Sequence, residues 1–270
     1  MPELPEVETV RKTLLSVVLH KEIKSVHIYY DPIISGDTHT FVSTVRGQTI
    51  QDIDRIGKYL IFKLDRDAFI SHLRMEGKYK MASPKTPMDR HEHVAFTFSD
   101  GSQMRYHDTR KFGRLALTSL SSYATLEPFT RVGPEPWQAQ VLPIYKRLRR
   151  SSLPIKTLLL DQSIIAGIGN IYANEICFDM RINPYTPGHK VSPKRVGELL
   201  EVACRILDQA IQQGGTTIHS FDANGITGLF QVQLQVHMQS ICPVCKGNIT
   251  KEKIHGRGTY YCKKCQRQKR

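Results

Sequence analysis

Between residues 4 and 18 the apolar side chains Leu4, Val7, Val10, Leu14 and Val17 recur at helical spacing, which predicts an amphipathic helix. Pro5 suits the first turn, where a missing N–H costs nothing, and Glu6 and Glu8 complement the positive end of the helix dipole. From about residue 22 to about 120 the texture turns β-rich, in IKSVHIYY, KYLIFKL, AFISHLRM, HVAFTFSDGSQMRYH and RLALTSL. Asp100-Gly101 marks a hairpin turn, and antiparallel strands on short turns read as a sandwich or barrel. The stretch SSYATLEPFTRVGPEP, residues 121–136, is punctuated by Ser, Pro and Gly and reads as a linker. Beyond it the pattern is helical. Ser192-Pro193 opens a helix whose apolar face runs from Val196 to Ile211 and which Gly214-Gly215 stop. Gly167-Ile168-Gly169-Asn170 leads into another helix, NIYANEICFDM. There is no internal repeat and no low-complexity run.

Length and charge narrow the picture. The 270 residues accommodate two domains. No run of about 18 apolar residues is present, so a membrane span is not expected. Three glutamates in the first eight residues stand where an export signal needs basic and then apolar residues. Lys and Arg number 38 against 25 Asp and Glu, a formal charge of +13. Either a polyanionic partner, most commonly nucleic acid, or plain surface basicity accounts for this. The excess is concentrated at the end: residues 236–270 hold nine Lys/Arg and one acid, Glu252.

Four of the six cysteines form Cys242-Pro-Val-Cys245 and Cys262-Lys-Lys-Cys265, sixteen residues apart. Paired CxxC turns offer four thiolates to one structural Zn²⁺, with no ligand position left open for catalysis. Two disulfides would suit an exported chain instead. Cys177 and Cys204 sit in apolar helical patterns and read as inert thiols.

The opening MPELPEVETV carries candidate chemistry. Removal of Met1 would leave Pro2 as a secondary amine with a pKa of about 8, whereas lysine, at about 10.4, stays protonated. Such an amine can attack an electrophilic carbon and form an iminium, and Glu3 beside it can serve as acid or base. A plain helix start, proline followed by acids, accounts for the same residues.

MPELPEVETV resembles the N-terminal signature of the formamidopyrimidine-DNA glycosylases, bacterial repair enzymes for oxidised purines. The resemblance continues through RIGKYL (55–60), SHLRMEGKY (71–79), DTRKFG (108–113), GPEP (133–136), DQSIIAGIGNIYANE (161–175) and GRGTYYCKKCQ (256–266), in family order. It implies an α+β fold: an N-terminal β-sandwich with flanking helices, then a C-terminal helical domain with a helix–two-turns–helix motif and a four-cysteine zinc hairpin. The domains expected are 1–125, a linker 126–136, a helical domain 137–235 and a zinc finger 236–270. Double-stranded DNA with oxidised bases or abasic sites is the implied partner, bound in a basic cleft by a monomer in the bacterial cytoplasm, with no membrane role. The activity implied is a bifunctional glycosylase and lyase that nicks by β- and δ-elimination.

The resemblance also assigns residues. Pro2 is the nucleophile on C1′, Glu3 the acid assisting sugar-ring opening, Glu6 a further acid of the pocket, and Lys58 a catalytic lysine near the lesion and the elimination chemistry. Met75, Arg110 and Phe112 match the trio that fills the space left by a flipped nucleotide. His72, His91 and Asn170 match phosphate-contacting positions. Arg257, between the cysteine pairs, sits at the tip of the zinc hairpin and serves phosphate binding and elimination. Cys242, Cys245, Cys262 and Cys265 hold one zinc ion. Two alternatives stay open: a non-catalytic damaged-DNA-binding protein on this scaffold, and an endonuclease VIII-type enzyme for oxidised pyrimidines, against which Leu4 argues.

Three departures from the family pattern stand out. His219, in GGTTIHSFDANGITGLF, replaces an arginine common in the lesion-covering loop. His237-Met238 follows LQV where Tyr-Gly is usual, and HMQSI is about two residues short. Ser151 and Ser152 stand where a lysine is frequent, with Arg149 and Arg150 upstream as substitutes.

Overall fold

The structure, a computed structural model, describes residues 2–215 and 234–267. These form two compact units, one ending at Thr130 and the other beginning at Arg131. Among the described residues no helix is long and apolar enough to cross a membrane.

The first unit opens with helix α1 (Leu4–Val18), whose Val7, Val10, Leu14 and Val18 are buried. Strand β1 (Ile23–Ile28) and helix α2 (Thr38–Val45) follow. Then come β2 (Asp52–Ile56), β3 (Tyr59–Lys63), β4 (Asp67–His72), β5 (Lys78–Ala82), β6 (Glu92–Phe98), β7 (Gln103–His107) and β8 (Arg114–Ser119). They form two antiparallel four-stranded sheets, ordered β1-β6-β7-β5 and β2-β3-β4-β8. The sandwich expected from the β-rich texture is present, and the hairpin turn at Asp100-Gly101 joins β6 to β7.

An aromatic stack joins the sheets through the core. Phe62 lies flat on Phe69 at 4.4 Å, Phe69 lies flat on Phe96 at 5.4 Å, and Phe41 of α2 meets Phe69 edge-on at 5.6 Å. Such contacts add about 0.5–1.5 kcal/mol per pair beyond area burial. α2 was not anticipated among the strands. Asp37 caps it by accepting the Thr40 N–H at 2.6 Å, and Phe41 and Val45, four residues apart, supply its buried face.

The second unit contains α3 (Val141–Leu148), α4 (Ile155–Leu159), α5 (Asn170–Asp179) and α6 (Pro193–Gln212) around one apolar core. Ser192 caps α6 as expected, accepting the Arg195 N–H at 3.3 Å. Strands β9 (Thr250–Ile254) and β10 (Arg257–Tyr261) form an antiparallel hairpin. Its own core is small: Phe178 from α5 packs with Val236, Cys242 and Cys262. Polar bonds complete the seam. Asn183 Nδ2 donates to the Gln266 carbonyl at 2.9 Å, and Gln266 Nε2 donates to the Ile182 carbonyl at 2.9 Å.

Candidate active site and nucleic-acid interface

The acids at the start of α1 are held in place. The Glu3 N–H donates to Glu6 Oε2 at 2.8 Å, closing the first turn on itself. Glu3 and Glu6 are both buried, and Pro2, half-buried, immediately precedes them. Glu8, one turn on, pairs with Arg11 at 2.8 Å and Arg55 at 2.9 Å. Burial alone would raise its carboxyl pKa. The hydrogen bonds and charges of the two arginines outweigh that and bring it below the usual range. Arg55 also donates to the Gly57 carbonyl at 3.0 Å. One guanidinium therefore ties α1 to the two-residue turn, Gly57-Lys58, between β2 and β3. Lys58 is only 6% exposed in that turn.

Strand pairing brings the next candidates to the same end of the sheet, because Tyr59 pairs with His72 and His72 with Arg114. Burial, then the charges of Arg74 and Lys58, push the His72 pKa down to about 3. Its Nδ1 accepts the Arg74 N–H at 2.9 Å, which leaves the ring proton on Nε2. His72 is thus a neutral ring with one N–H to offer.

Residues 73–77 and 108–113 each cross from one sheet to the other, since Lys78 pairs with His107 and His72 with Arg114. Side by side, they carry Met75, half-buried, and Arg110 and Phe112, exposed. Arg74 and Lys111 take left-handed backbone, φ 53° and 58°, each directly before its apolar neighbour, Met75 or Phe112. The Thr109 hydroxyl donates to the Glu76 carboxylate, linking the two crossings. Underneath, Asp108 is fully buried. Its carboxylate accepts the N–H groups of Arg110 at 3.0 Å, Phe112 at 2.9 Å and Gly113 at 2.8 Å. Gly77 and Gly113 have no room for a Cβ, which would overlap the Tyr106 hydroxyl. The Arg110 guanidinium lies 4.7 Å over the Phe112 ring, so the two exposed groups stand together.

His91 lies at the entry to β6, its N–H donating to Asp89 Oδ1 at 2.7 Å and its Nε2 accepting from Arg90 at 3.0 Å. The loop before it is stapled by Arg105, 1% exposed. That guanidinium pairs with Glu92 at 3.1 Å and donates to the carbonyls of Ser83, Thr86 and Pro87.

The remaining candidates belong to the second unit. Arg150 is exposed just past α3. Asn170 is the first residue of α5, and its Oδ1 is buried with no hydrogen-bond partner. Arg257 is exposed at the start of β10. The sulfurs of Cys242, Cys245, Cys262 and Cys265 lie within 4.8 Å of one another, with Cys242–Cys265 at 3.8 Å and Cys245–Cys262 at 3.5 Å. A tetrahedral site with Zn–S bonds of about 2.3 Å needs sulfurs about 3.8 Å apart, so the four thiols fit one zinc ion. They are not disulfide-bonded. Cys177 is buried and inert, its thiol pushed up to about 12 by burial.

Several structural groups escaped the sequence reading. Lys156, fully buried, donates from Nζ to the Gly258 carbonyl and to Thr259 Oγ1, both at 2.8 Å. Glu175 accepts the N–H groups of Gln235, Val236 and His237 at 2.8, 3.1 and 2.8 Å, fixing the chain ahead of the zinc hairpin. The departure at His237 lands in this seam. Its Nδ1 is 2.7 Å from Asn174 Nδ2, its ring meets Tyr260 at 4.9 Å, and burial, then the Lys156 charge, push its pKa down to about 4. His219 and the rest of its loop, 216–233, lie outside the described residues.

Comparison with known proteins matches this arrangement along the chain. The formamidopyrimidine-DNA glycosylase N-terminal domain matches residues 1–115, the H2TH domain of the same enzymes residues 132–222, and the zinc finger found in FPG and IleRS residues 241–268. Formamidopyrimidine-DNA glycosylase of Lactobacillus delbrueckii subsp. bulgaricus is 42% identical, covering 99% of this chain and 100% of that one. The enzyme of Geobacillus kaustophilus is 41% identical, with the same coverage. Among solved structures, Lactococcus lactis Fpg in complex with DNA containing N7-benzyl-Fapy-dG superposes with a TM-score of 0.93 at 37% identity, over 99% of this chain and 100% of that one. A complex of the same enzyme with abasic-site DNA gives 0.92 at 36%, over 98% and 100%. Identity of this depth over the full length of both chains leaves one conclusion, that the chain belongs to the formamidopyrimidine-DNA glycosylase family.

Proposed function

We propose that Pro2, once Met1 is removed, is the nucleophile of this enzyme, with Glu3 handling protons beside it. The enzyme is a DNA glycosylase and lyase of base excision repair, acting on oxidised purines and abasic sites. The observation that carries the nucleophile is the closed first turn of α1, in which Glu6 holds the Glu3 N–H and keeps the terminus from fraying. A secondary amine of pKa about 8 is partly neutral at physiological pH. Its nitrogen bonds to C1′ of the damaged nucleotide as the bond to the base breaks. Proton donation by Glu3 to the ring oxygen opens the sugar, and loss of the amine proton leaves an iminium. The iminium acidifies the neighbouring carbon, so the phosphates leave by successive β- and δ-elimination.

The other residues serve access and hold. A base in a duplex must be extruded before it can react. Met75 and Phe112 wedge into the gap, and Arg110 hydrogen-bonds the widowed partner base. His72 donates its Nε2–H to a phosphate while Lys58 supplies charge beside it. Asn170, His91, Arg150 and Arg257 hold the backbone elsewhere. The relatives are bacterial, and this reading places the enzyme on chromosomal DNA in the cytoplasm. The four cysteines would hold a structural zinc that fixes the hairpin bearing Arg257.

Borohydride reduction during turnover tests the nucleophile. Protein lacking Met1, mixed with a lesion duplex, is expected to yield a covalent adduct whose N-terminal peptide carries the sugar remnant on Pro2. A link found on Lys58, with that peptide unmodified, overturns the assignment.

A further inference from the structure

The turn of the zinc hairpin has an unusual occupant. Ile254 pairs with Arg257, so His255-Gly256 is a two-residue turn, with φ 45° and 76°. Both positions are left-handed, as a type I′ turn requires, and a glycine fits each without steric cost. Histidine at the first therefore carries strain that glycine would not.

Its side chain supplies a reason. His255 Nδ1 lies 3.1 Å from the Thr157 hydroxyl of α4. The neighbouring Lys156 reaches the other arm of the turn, donating to the Gly258 carbonyl and Thr259 Oγ1, and Thr259 Oγ1 in turn donates to the Arg257 carbonyl at 3.1 Å. Two consecutive residues of α4 thus grip the hairpin on both sides of Arg257. The Lys156 grip is buried; the Thr157 grip is exposed and acts on the residue two positions ahead of the arginine.

We infer that Thr157 and His255 form a latch that sets the aim of Arg257, making them positioning residues for the arginine's phosphate contact. This rests on the role proposed above for Arg257. The latch restricts how far the turn can swing about the Lys156 anchor, so the guanidinium meets the backbone without first losing conformational freedom. His255 itself does not touch the DNA.

The test uses the full-length, zinc-loaded enzyme, abasic-site duplex, and two readouts, dissociation constant and single-turnover nicking rate. His255→Gly removes the strain along with the imidazole, so a merely structural role predicts a melting temperature unchanged or raised and full activity. The latch predicts the same melting temperature with affinity or nicking about three- to tenfold lower, the range for one lost neutral hydrogen bond. Thr157→Val should match it, and Thr157→Ser, which keeps the hydroxyl, should restore the wild-type value.

The decisive comparison repeats both substitutions in an Arg257→Ala background, where a positioning effect vanishes because nothing remains to be aimed. A loss that persists in that background means His255 acts on DNA directly or through general stability, and overturns the latch. Wild-type activity in His255→Gly and Thr157→Val, with Arg257→Ala impaired, overturns the latch alone. Wild-type activity in Arg257→Ala overturns the role of the arginine, and the latch with it.

Discussion

Asp108 shows how much of the proposed interface depends on one side chain that never reaches it. Its carboxylate gathers three backbone N–H groups and so shapes the crossing that presents Arg110 and Phe112. Asp108→Asn would turn an amide NH₂ toward donors that need an acceptor. Affinity for a lesion duplex is expected to fall roughly 10- to 100-fold, from an unsatisfied-donor cost of about 1–3 kcal/mol. Fluorescence anisotropy measures this, and binding equal to wild type would show that the crossing keeps its shape without the carboxylate. The DTRKFG string displayed the outward-facing residues plainly. Nothing local in it announced that its first residue was fully buried, because the residues that enclose it are distant in sequence: His93 Nε2 meets the Asp108 carbonyl at 2.8 Å, and the Asp108 N–H donates to the His91 carbonyl at 2.9 Å. Arg105 is the same case: its partners Ser83, Thr86 and Pro87 are about twenty residues away, and an arginine in a strand reads as solvent-facing until they are in place.

At the level of elements, periodicity made α1 and α6 legible, since each buries one face at a helical repeat, whereas β-rich composition marked the strands, of which β3, β4, β6 and β7 are buried almost throughout. α2 was hidden because its eight residues, THTFVSTV, are rich in β-branched side chains and sit among strands; the Asp37 cap was the available sign. The cysteine spacing was legible for a different reason, a metal's fixed geometry. The zinc hairpin's apolar core is so small that metal should dominate its stability. Chelation is expected to unfold β9 and β10 and abolish DNA binding, while the first unit, with its own core, retains its secondary structure. Far-UV circular dichroism with zinc release followed colorimetrically checks this. Retained binding after complete zinc loss would contradict it.

For the whole molecule, three titrating groups act in one direction with pH, against Glu175, whose carboxyl pKa is raised by burial. His72 and His237 have pKa values pushed down to about 3 and about 4, and Glu8 lies below the ordinary carboxylate range. Each binds its proton more readily in the unfolded chain than in the folded one. Their contributions are therefore complete above about pH 6.5, the unfolded histidine value. The histidine contributions fall as acid protonates the unfolded chain, from about 6.5 toward 4 and 3; that of Glu8 follows below about 4.5. Urea midpoints are expected to drop through this window, and less steeply in His237→Gln. A flat profile between pH 6.5 and 4 would refute the burial of both rings. The net charge of +13 adds repulsion in the same acid range.

The stacked phenylalanines have one more consequence. Phe69 of one sheet, backed by Phe62 beside it, meets Phe96 of the other and so helps set the thickness of the sandwich, and both crossings that carry Met75 and Phe112 run over its end. The sandwich is in effect a caliper: its jaws are the two sheets, each loop bridges them, and the ring stack is the screw that holds the gap. A buried substitution such as Phe69→Leu would reset the spread of the jaws and with it the size of the opening that the proposed wedges, Met75 and Phe112, can prop apart.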